Sequence, residues 1–378
     1  MKIPFTRPSF GAAEIRAAAA ALRAGQTVGN GPIGTRVEQR LAELSGAPFV
    51  VLTPNATQAM EVLLTALCIG PGDEVILPSF AFVSMANTVV QRGARPVFAE
   101  IDERHLNLDP ADVARRIGPK TRMVMPVHYA GIPADMAALT ELCRQAGVFL
   151  FEDAAQAIGS TLDGRWLGTL GDAGCLSFHE TKNVTSGGEG GALLLKDETL
   201  ARRVEIAHEK GTNRKAFLRG EVDKYTWVSS GGSYVLSDLL AAVLEVQLER
   251  LSELTQRRRD NWELYHQALA PLEARGLLRR PYVPPGAVHN AHIYYVVCAS
   301  PALQERLLSG LKSQGISATF HFQPLHASPF AIEALRSDPH ALPKTLHAAN
   351  CIVRLPLFAD LTRAEAHRIA SAALAILS

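Results

Sequence analysis

At 378 residues the chain is too long for one compact core and is expected to form two domains. Hydrophobic residues make up 47% and charged residues 20%, the balance of an ordinary globular protein, and no apolar run has the length to cross a bilayer. A formal net charge of +1 excludes bulk attraction to nucleic acid or an anionic membrane, so an anionic ligand needs a local site.

The five cysteines (Cys68, Cys143, Cys175, Cys298 and Cys351) are scattered and form no CxxC pair. That pattern points away from a disulfide framework or a zinc site and towards buried, reduced thiols. The opening MKIPFTRPSF has no apolar signal segment, and a cytoplasmic protein is expected.

From about residue 10 to 200, amphipathic stretches alternate with short apolar runs. GAAEIRAAAAALRAG and ATQAMEVLLTALCIG have helical apolar spacing, and each is closed by glycine. PFVVLTP, DEVILPSF, RPVFAEID, TRMVMPVHY and VFLFEDAAQ are short and apolar, as strands buried on both faces are. The alternation predicts an α/β fold with a mostly parallel sheet, whose ligands bind beyond the carboxyl ends of the strands. The stretch SYVLSDLLAAVLEVQLERLSELTQRRRDNWELYHQAL predicts one helix, or two in line, leading out of a large domain over 1–249. A smaller α+β domain is expected over 250–378, with strands at HIYYVVCAS, ISATFHF and CIVRLPLF.

Polar residues at strand ends carry the chemistry. VFLFE runs into Asp153, and an acid there is costly unless a cation or strong donor meets it. Taken alone, Asp153 reads equally as a helix N-cap. In CLSFHETKNVTSGGEGGALLL, Ser177 ends a strand and Lys182 lies in a crowded polar turn between two apolar runs. A lysine taken out of water loses its proton more readily and can then form an imine with an aldehyde. A carboxylate facing a pyridine nitrogen keeps it protonated, and a helix N-terminus holds phosphate. TPNATQAM, with a helix beginning near Thr57, supplies the last of these; a plain N-cap is the other reading of Thr57. These are the needs of pyridoxal 5'-phosphate (PLP).

The strings EDAAQA, SFHETKN and GGEGGA, in this order and spacing, resemble the sugar aminotransferases of the DegT/DnrJ/EryC1/StrS family, from IPFTRP to LPLF. The resemblance implies the PLP-dependent transferase fold type I and a homodimer with active sites built from both subunits. It also implies PLP as cofactor, with pyridoxamine phosphate as its aminated form. By position, Lys182 would carry the cofactor, Asp153 meet the pyridine nitrogen, Gln156 approach the ring hydroxyl and Phe82 stack on the ring. The Ala56 backbone and the Thr57 and Ser177 hydroxyls would hold the phosphate. Ser233, in GSYVLSD, takes the place of an asparagine that in the family reaches the neighbouring subunit's phosphate. Phe322 stands where many relatives have tyrosine.

PVHYAG, EKGTNR, VDKYTW, HNAH and PLH resemble a subgroup that moves an amino group from L-glutamate to C4 of dTDP-4-keto-6-deoxy-D-glucose. Its product, dTDP-4-amino-4,6-dideoxy-D-galactose, would serve a cell-surface glycan such as enterobacterial common antigen or lipopolysaccharide. The loop HEKGTNRKAFLRGEVDKYTW offers Lys210, Arg214, Arg219 and Lys224 to a sugar diphosphate, and reads equally as a solvated basic loop. His321 and His326 read as structural or as facing the sugar, and His128 as a core or a pocket residue. Another keto-sugar aminotransferase, a PLP-dependent sugar dehydratase and a non-catalytic sugar-nucleotide-binding protein are the alternatives. Lys182 argues against the dehydratase, where histidine typically replaces the lysine.

Overall fold

Thirteen strands form in the computed structural model, which describes residues 2–25 and 27–378. In chain order they are β1 (Phe49–Thr53), β2 (Glu74–Pro78), β3 (Arg95–Ala99), β4 (Thr121–Val124), β5 (Phe149–Asp153), β6 (Thr161–Leu162) and β7 (Arg165–Trp166). Then follow β8 (Ala173–Ser177), β9 (Gly191–Leu195), β10 (Leu278–Arg279), β11 (Ala287–Val288), β12 (Tyr294–Cys298) and β13 (Ile352–Leu355). Seven of them form the main sheet, in the order β1-β9-β8-β5-β4-β2-β3. The pairs β8–β5, β5–β4, β4–β2 and β2–β3 are parallel, and β9 alone runs against its neighbours. This is the expected α/β architecture. Every residue of β8 and β9 is buried, as strands covered on both faces must be. Each buried leucine there contributes roughly 1.5–3 kcal/mol of transfer free energy.

The strand ends follow from the sequence. Asn55 caps the helix Ala56–Ala66 by accepting from Gln58 N at 2.9 Å. The helix therefore begins before Thr57, and the Thr57 hydroxyl is not its cap. The predicted long helix is two in line, Asp238–Glu249 and Leu251–Ala268, broken at Arg250. Arg250 Nη1 donates to Glu14 Oε1 at 2.6 Å, which anchors the break to the first helix, Ala12–Ala24.

Beyond that break, β10, β12 and β13 form a three-stranded sheet. The expected strand over ISATFHF is absent. That segment makes only isolated bridges, Ile3 with Ile316 and, on the outer edge of β13, Thr319 with Arg354. Ile3 is fully buried in one apolar cluster with Trp262, Tyr265, Tyr294 and Leu311. Its backbone exchanges bonds with Gly315 and Ser317. The N-terminal segment thus packs with the last third of the chain. We propose Arg250 as the boundary between the two domains.

Four cysteines are buried and free, but Cys68 is exposed, correcting the expectation for that thiol; it lies past a helix end at φ 55°. Among the described residues no helix is long and apolar enough to cross a membrane.

Candidate active site

A cavity of about 650 Å³ opens beyond the carboxyl ends of the parallel strands. Of the residues singled out from sequence, Ala56, Thr57, Phe82, Asp153, Gln156, Ser177, Lys182, His321 and Phe322 line it.

Lys182 sits in the loop between β8 and β9. Phe178 N donates to Gly190 O at 2.7 Å, Glu180 N to Gly188 O at 2.9 Å and Lys182 N to His179 O at 2.9 Å, so the loop is closed on itself. Asn183, Val184, Thr185 and Ser186 are buried beneath it. Burial pushes the Lys182 amine from 10.5 down to about 8; Asp153 opposes this and Arg354 adds to it.

Asp153 ends β5. Its Oδ1 accepts from Ala155 N at 3.0 Å, and no helix follows, so it is not an N-cap. Burial raises its pKa, against the bond from Ala155 and the charge of Lys182. A carboxyl group in that position calls for a cationic partner. Its neighbour Glu152 is fully buried and already satisfied: it accepts from His128 Nε2 at 2.7 Å and from the amides of Gly168, Leu170 and Gly171 at 2.5–2.8 Å. Burial raises Glu152, but these donors outweigh it and hold its pKa below the ordinary value. Ala134 N donates to His128 Nδ1, so Nε2 carries the ring proton. His128 is a core residue.

Gln156 Oε1 accepts from Ala130 N at 2.7 Å, which turns its amide NH₂ free as a donor in the cavity wall. Phe82 is 59% exposed, with a ring face open to a bound group. Thr57 Oγ1 donates to Ser84 Oγ at 2.8 Å, adding a hydroxyl that sequence reasoning missed. At the start of β9 a Cβ on Gly191 would lie 2.6 Å from Ala56 N and 2.4 Å from the Asn55 carbonyl carbon. Only glycine lets the strand approach the helix N-terminus so closely. The amides there, with nearby hydroxyls, form an anion cradle.

Tyr129 Oη lies 2.6 Å from His321 Nδ1. Burial raises the tyrosine well above its usual pKa and lowers the histidine well below its own, so both are uncharged. The contact ties the His321 ring to Tyr129 at the cavity wall. His321 stacks on Phe322 with centroids 3.7 Å apart. His326 corrects the expectation that it faces substrate. It is 1% exposed, does not line the cavity, and its Nδ1 is 2.6 Å from Ser79 Oγ.

The basic loop also lies outside the cavity of this chain. Lys210 and Arg214 both approach the Glu209 carboxylate, at 3.6 and 3.4 Å, Arg219 pairs with Glu205 and Glu221, and Lys224 is exposed. Ser233 is likewise exposed and does not line the cavity.

A model of the DegT/DnrJ/EryC1/StrS aminotransferase family matches residues 8–374. The chain belongs to this family. Its structure is similar to that of the aminotransferase TlmJ from Streptoalloteichus hindustanus, at 33% identity over 100% of this chain and 99% of that one, with a TM-score of 0.91. It is also similar to DesV of S. venezuelae, at 31% identity, 100% and 99% coverage and a TM-score of 0.90. Spr1654 from Streptococcus pneumoniae, solved in a PMP form, matches at 26% identity, 100% and 98% coverage and a TM-score of 0.91. The architecture is therefore fold type I, the protein is an aminotransferase, and the family's cofactor is PLP. The site fits that cofactor: a buried lysine with its pKa lowered to about 8, a buried carboxyl group with no ion pair among the described residues, and a cradle that a Cβ at position 191 would fill.

Proposed function

We propose that the protein transfers the amino group of L-glutamate to C4 of dTDP-4-keto-6-deoxy-D-glucose, giving dTDP-4-amino-4,6-dideoxy-D-galactose and 2-oxoglutarate. The observation that carries a sugar aminotransferase reading is the convergence of Lys182, Asp153 and the Asn55–Thr57 helix start on one cavity of about 650 Å³. That volume is of the size used for small-molecule sites. Spr1654, designated a sugar aminotransferase, supports the substrate class. The 4-keto hexose and the galacto product rest on the subgroup strings PVHYAG, EKGTNR, VDKYTW and HNAH. We place the reaction in the cytoplasm, feeding a cell-surface glycan.

PLP, when bound, would supply the carbonyl chemistry that carries an amino group between donor and ketone, and a ring that withdraws electrons from the reacting carbon. Lys182 Nζ, uncharged in a large fraction of molecules near pH 8, takes the proton from the donor α-carbon and later delivers one to sugar C4. Asp153 would hold the proton of the ring nitrogen, and Gln156, its amide fixed by Ala130, would donate to the ring hydroxyl oxygen. Ala56 N, Thr57 and Ser177 would hold the phosphate, and Phe82 would cover the ring. His321, on the cavity wall, contacts the sugar.

The active unit is a homodimer. Trp227 is 79% exposed and lies with Leu218, Tyr225 and Val228 on the surface of the loop that carries Lys210, Arg214 and Lys224. Such an apolar patch on a basic loop suits a subunit interface, from which those cations and Ser233 reach the partner's cavity.

The experiment is a product assay with L-glutamate and a panel of 4-keto and 3-keto sugar nucleotides, followed by NMR of the new C–N centre. An axial amine at C4 of the dTDP-linked sugar is expected. An equatorial amine, or turnover of 3-keto sugars alone, refutes the substrate while leaving the family membership intact.

A further inference from the structure

The histidine just ahead of β12, His292, borders the cavity and is 6% exposed. Its neighbours settle its tautomer. Asn290 O can only accept, so the Asn183 amide turns its NH₂ to that carbonyl and its oxygen to His292 Nδ1. Nδ1 therefore carries the ring proton, and Nε2, at the far corner of the ring, is a bare lone pair. Nε2 makes no hydrogen bond with any described residue. Neither arginine of the cavity wall bonds it. Arg258 directs its donors to the main-chain carbonyls of Ala291, His292 and Leu357, and Arg354 lies over the Phe5 ring, 4.7 Å from its centroid.

A largely buried acceptor is costly unless a donor is brought to it, and the lysine loop offers one. Asn183, which grips the ring, follows Lys182 in the chain, and both Lys182 and His292 border the one cavity. After burial, the charge of Lys182 is the largest influence lowering the His292 pKa, ahead of Arg258, Arg354 and His321. After its own burial, Lys182 feels Asp153, then Arg354 and Cys175. Lys182 Nζ likewise has no hydrogen-bond partner among the described residues. An amine that takes a proton from a carbon must present its lone pair to that carbon, yet Nζ turns freely about its bond to Cε. Fixing one N–H on an acceptor removes that freedom, and the same acceptor steadies the ammonium while the proton is held.

We propose that His292 is a positioning residue for Lys182: Nε2 accepts one N–H of Nζ and so turns the lysine lone pair to the carbon whose proton it takes. The proton stays on Nζ throughout, and the imidazole remains uncharged. The inference rests on the role of Lys182 proposed above and adds the group that aims it.

The test uses two variants that each keep one corner of the ring. The amide of His292→Asn falls where Nδ1 stands and keeps the donor to Asn183, with nothing at the place of Nε2. The longer His292→Gln puts an amide oxygen where Nε2 stands and leaves Asn183 without its donor. In the PLP-loaded enzyme, bleaching of the lysine-bound absorption by L-glutamate alone follows the donor half without any sugar. With His292→Asn its maximal rate is expected to fall roughly thirtyfold, with the KM for glutamate within about threefold and a larger isotope effect for α-deuterated glutamate. In the cofactor-free protein, arylation of Lys182 at a series of pH values, read by peptide mass spectrometry, reports its pKa. That pKa should lie about one pH unit lower in His292→Asn than in wild type, because an acceptor favours the ammonium. His292→Gln is expected to recover most of both losses. A His292→Asn protein with the wild-type rate or the wild-type Lys182 pKa overturns the inference. So does a His292→Gln protein impaired as deeply as His292→Asn, since the ring then serves only through Asn183. Should His292→Gln not fold, the Lys182 pKa in His292→Asn decides alone. A wild-type enzyme whose absorption glutamate never bleaches overturns the role of Lys182 and this inference together, a different result from an active wild type whose His292→Asn variant is unimpaired.

Discussion

Asn183 Oδ1 lies 2.9 Å from His292 Nδ1, and the Nδ2 of the same amide donates to Asn290 O at 2.7 Å. One side chain thus ties the lysine loop to the chain entering β12. Since Nδ2 is the donor, Oδ1 must accept, and His292 Nδ1 carries the ring proton. Burial, followed by the nearby charges of Lys182 and Arg258, pushes His292 well below its usual pKa and keeps it uncharged.

Replacing Asn183 by leucine leaves a buried N–H and a buried carbonyl without partners. Each costs about 1–3 kcal/mol, so a loss of about 2–6 kcal/mol is expected in thermal unfolding of the cofactor-free protein. The lysine is also released from its anchor, and kcat should fall further than KM rises. A variant with wild-type Tm and kcat would show that the bond positions nothing.

Lys182 should make stability depend on pH in an unusual window. Its folded pKa, about 8, lies below the ordinary 10.5, so between these values the unfolded chain binds more protons than the folded one. Stability from this group therefore rises with pH across that window, and below it the buried cation is a burden. The cofactor-free Lys182→Met variant is expected to be more stable than wild type at pH 7, with the difference shrinking towards pH 10. Chemical denaturation at a series of pH values measures it; a difference independent of pH would refute the lowered pKa. The same variant should show neither turnover nor the visible absorption of a lysine-bound cofactor.

Glu152 behaves in the opposite sense. Its pKa is held below 4.5, so its contribution is present above the unfolded value and is lost as pH falls through the folded one. Glu152→Gln sets an amide NH₂ against a shell of donors, and a loss of about 3 kcal/mol or more is expected. The comparison is made by denaturant titration at pH 7 and pH 4, with the gap narrowing at the lower value.

The proposed dimer has a direct readout. Trp227→Glu places a charge on the exposed patch and should shift the protein from dimer to monomer in sedimentation. Cofactor retention should weaken with it, because Ser233 is then removed from the partner's phosphate. A wild-type chain that sediments as a monomer while fully active would end the shared-site proposal.

Much of the site was legible in the sequence because its residues lie just past strands that announce themselves. Asp153 follows VFLFE and Ser177 follows AGCL, and both stand at carboxyl ends as a parallel sheet requires. The helix does begin near Thr57, as its sequence suggests, but Asn55 rather than Thr57 takes the cap. ISATFHF carries strand-like residues but meets the outer edge of β13 at Thr319 alone, which no local pattern reveals. Arg354 had a visible signal, a lone charge in the apolar run CIVRLPLF, but its meaning depends on Phe5, distant in sequence. Asn183 and His292 likewise declare themselves only when two remote loops meet. Tyr129 hid for a different reason: its hydroxyl matters through the His321 ring that it holds.

The seating of Ile3 between Gly315 and Ser317 bears on how the protein is made. All seven strands of the main sheet are synthesised by Leu195, so that layer can begin to assemble while translation continues. Ile3 must meanwhile wait for a segment built long afterwards. A chaperone or the growing sheet itself has to shelter it. A bulky fusion placed ahead of Ile3 should slow the final closure while sparing the early one.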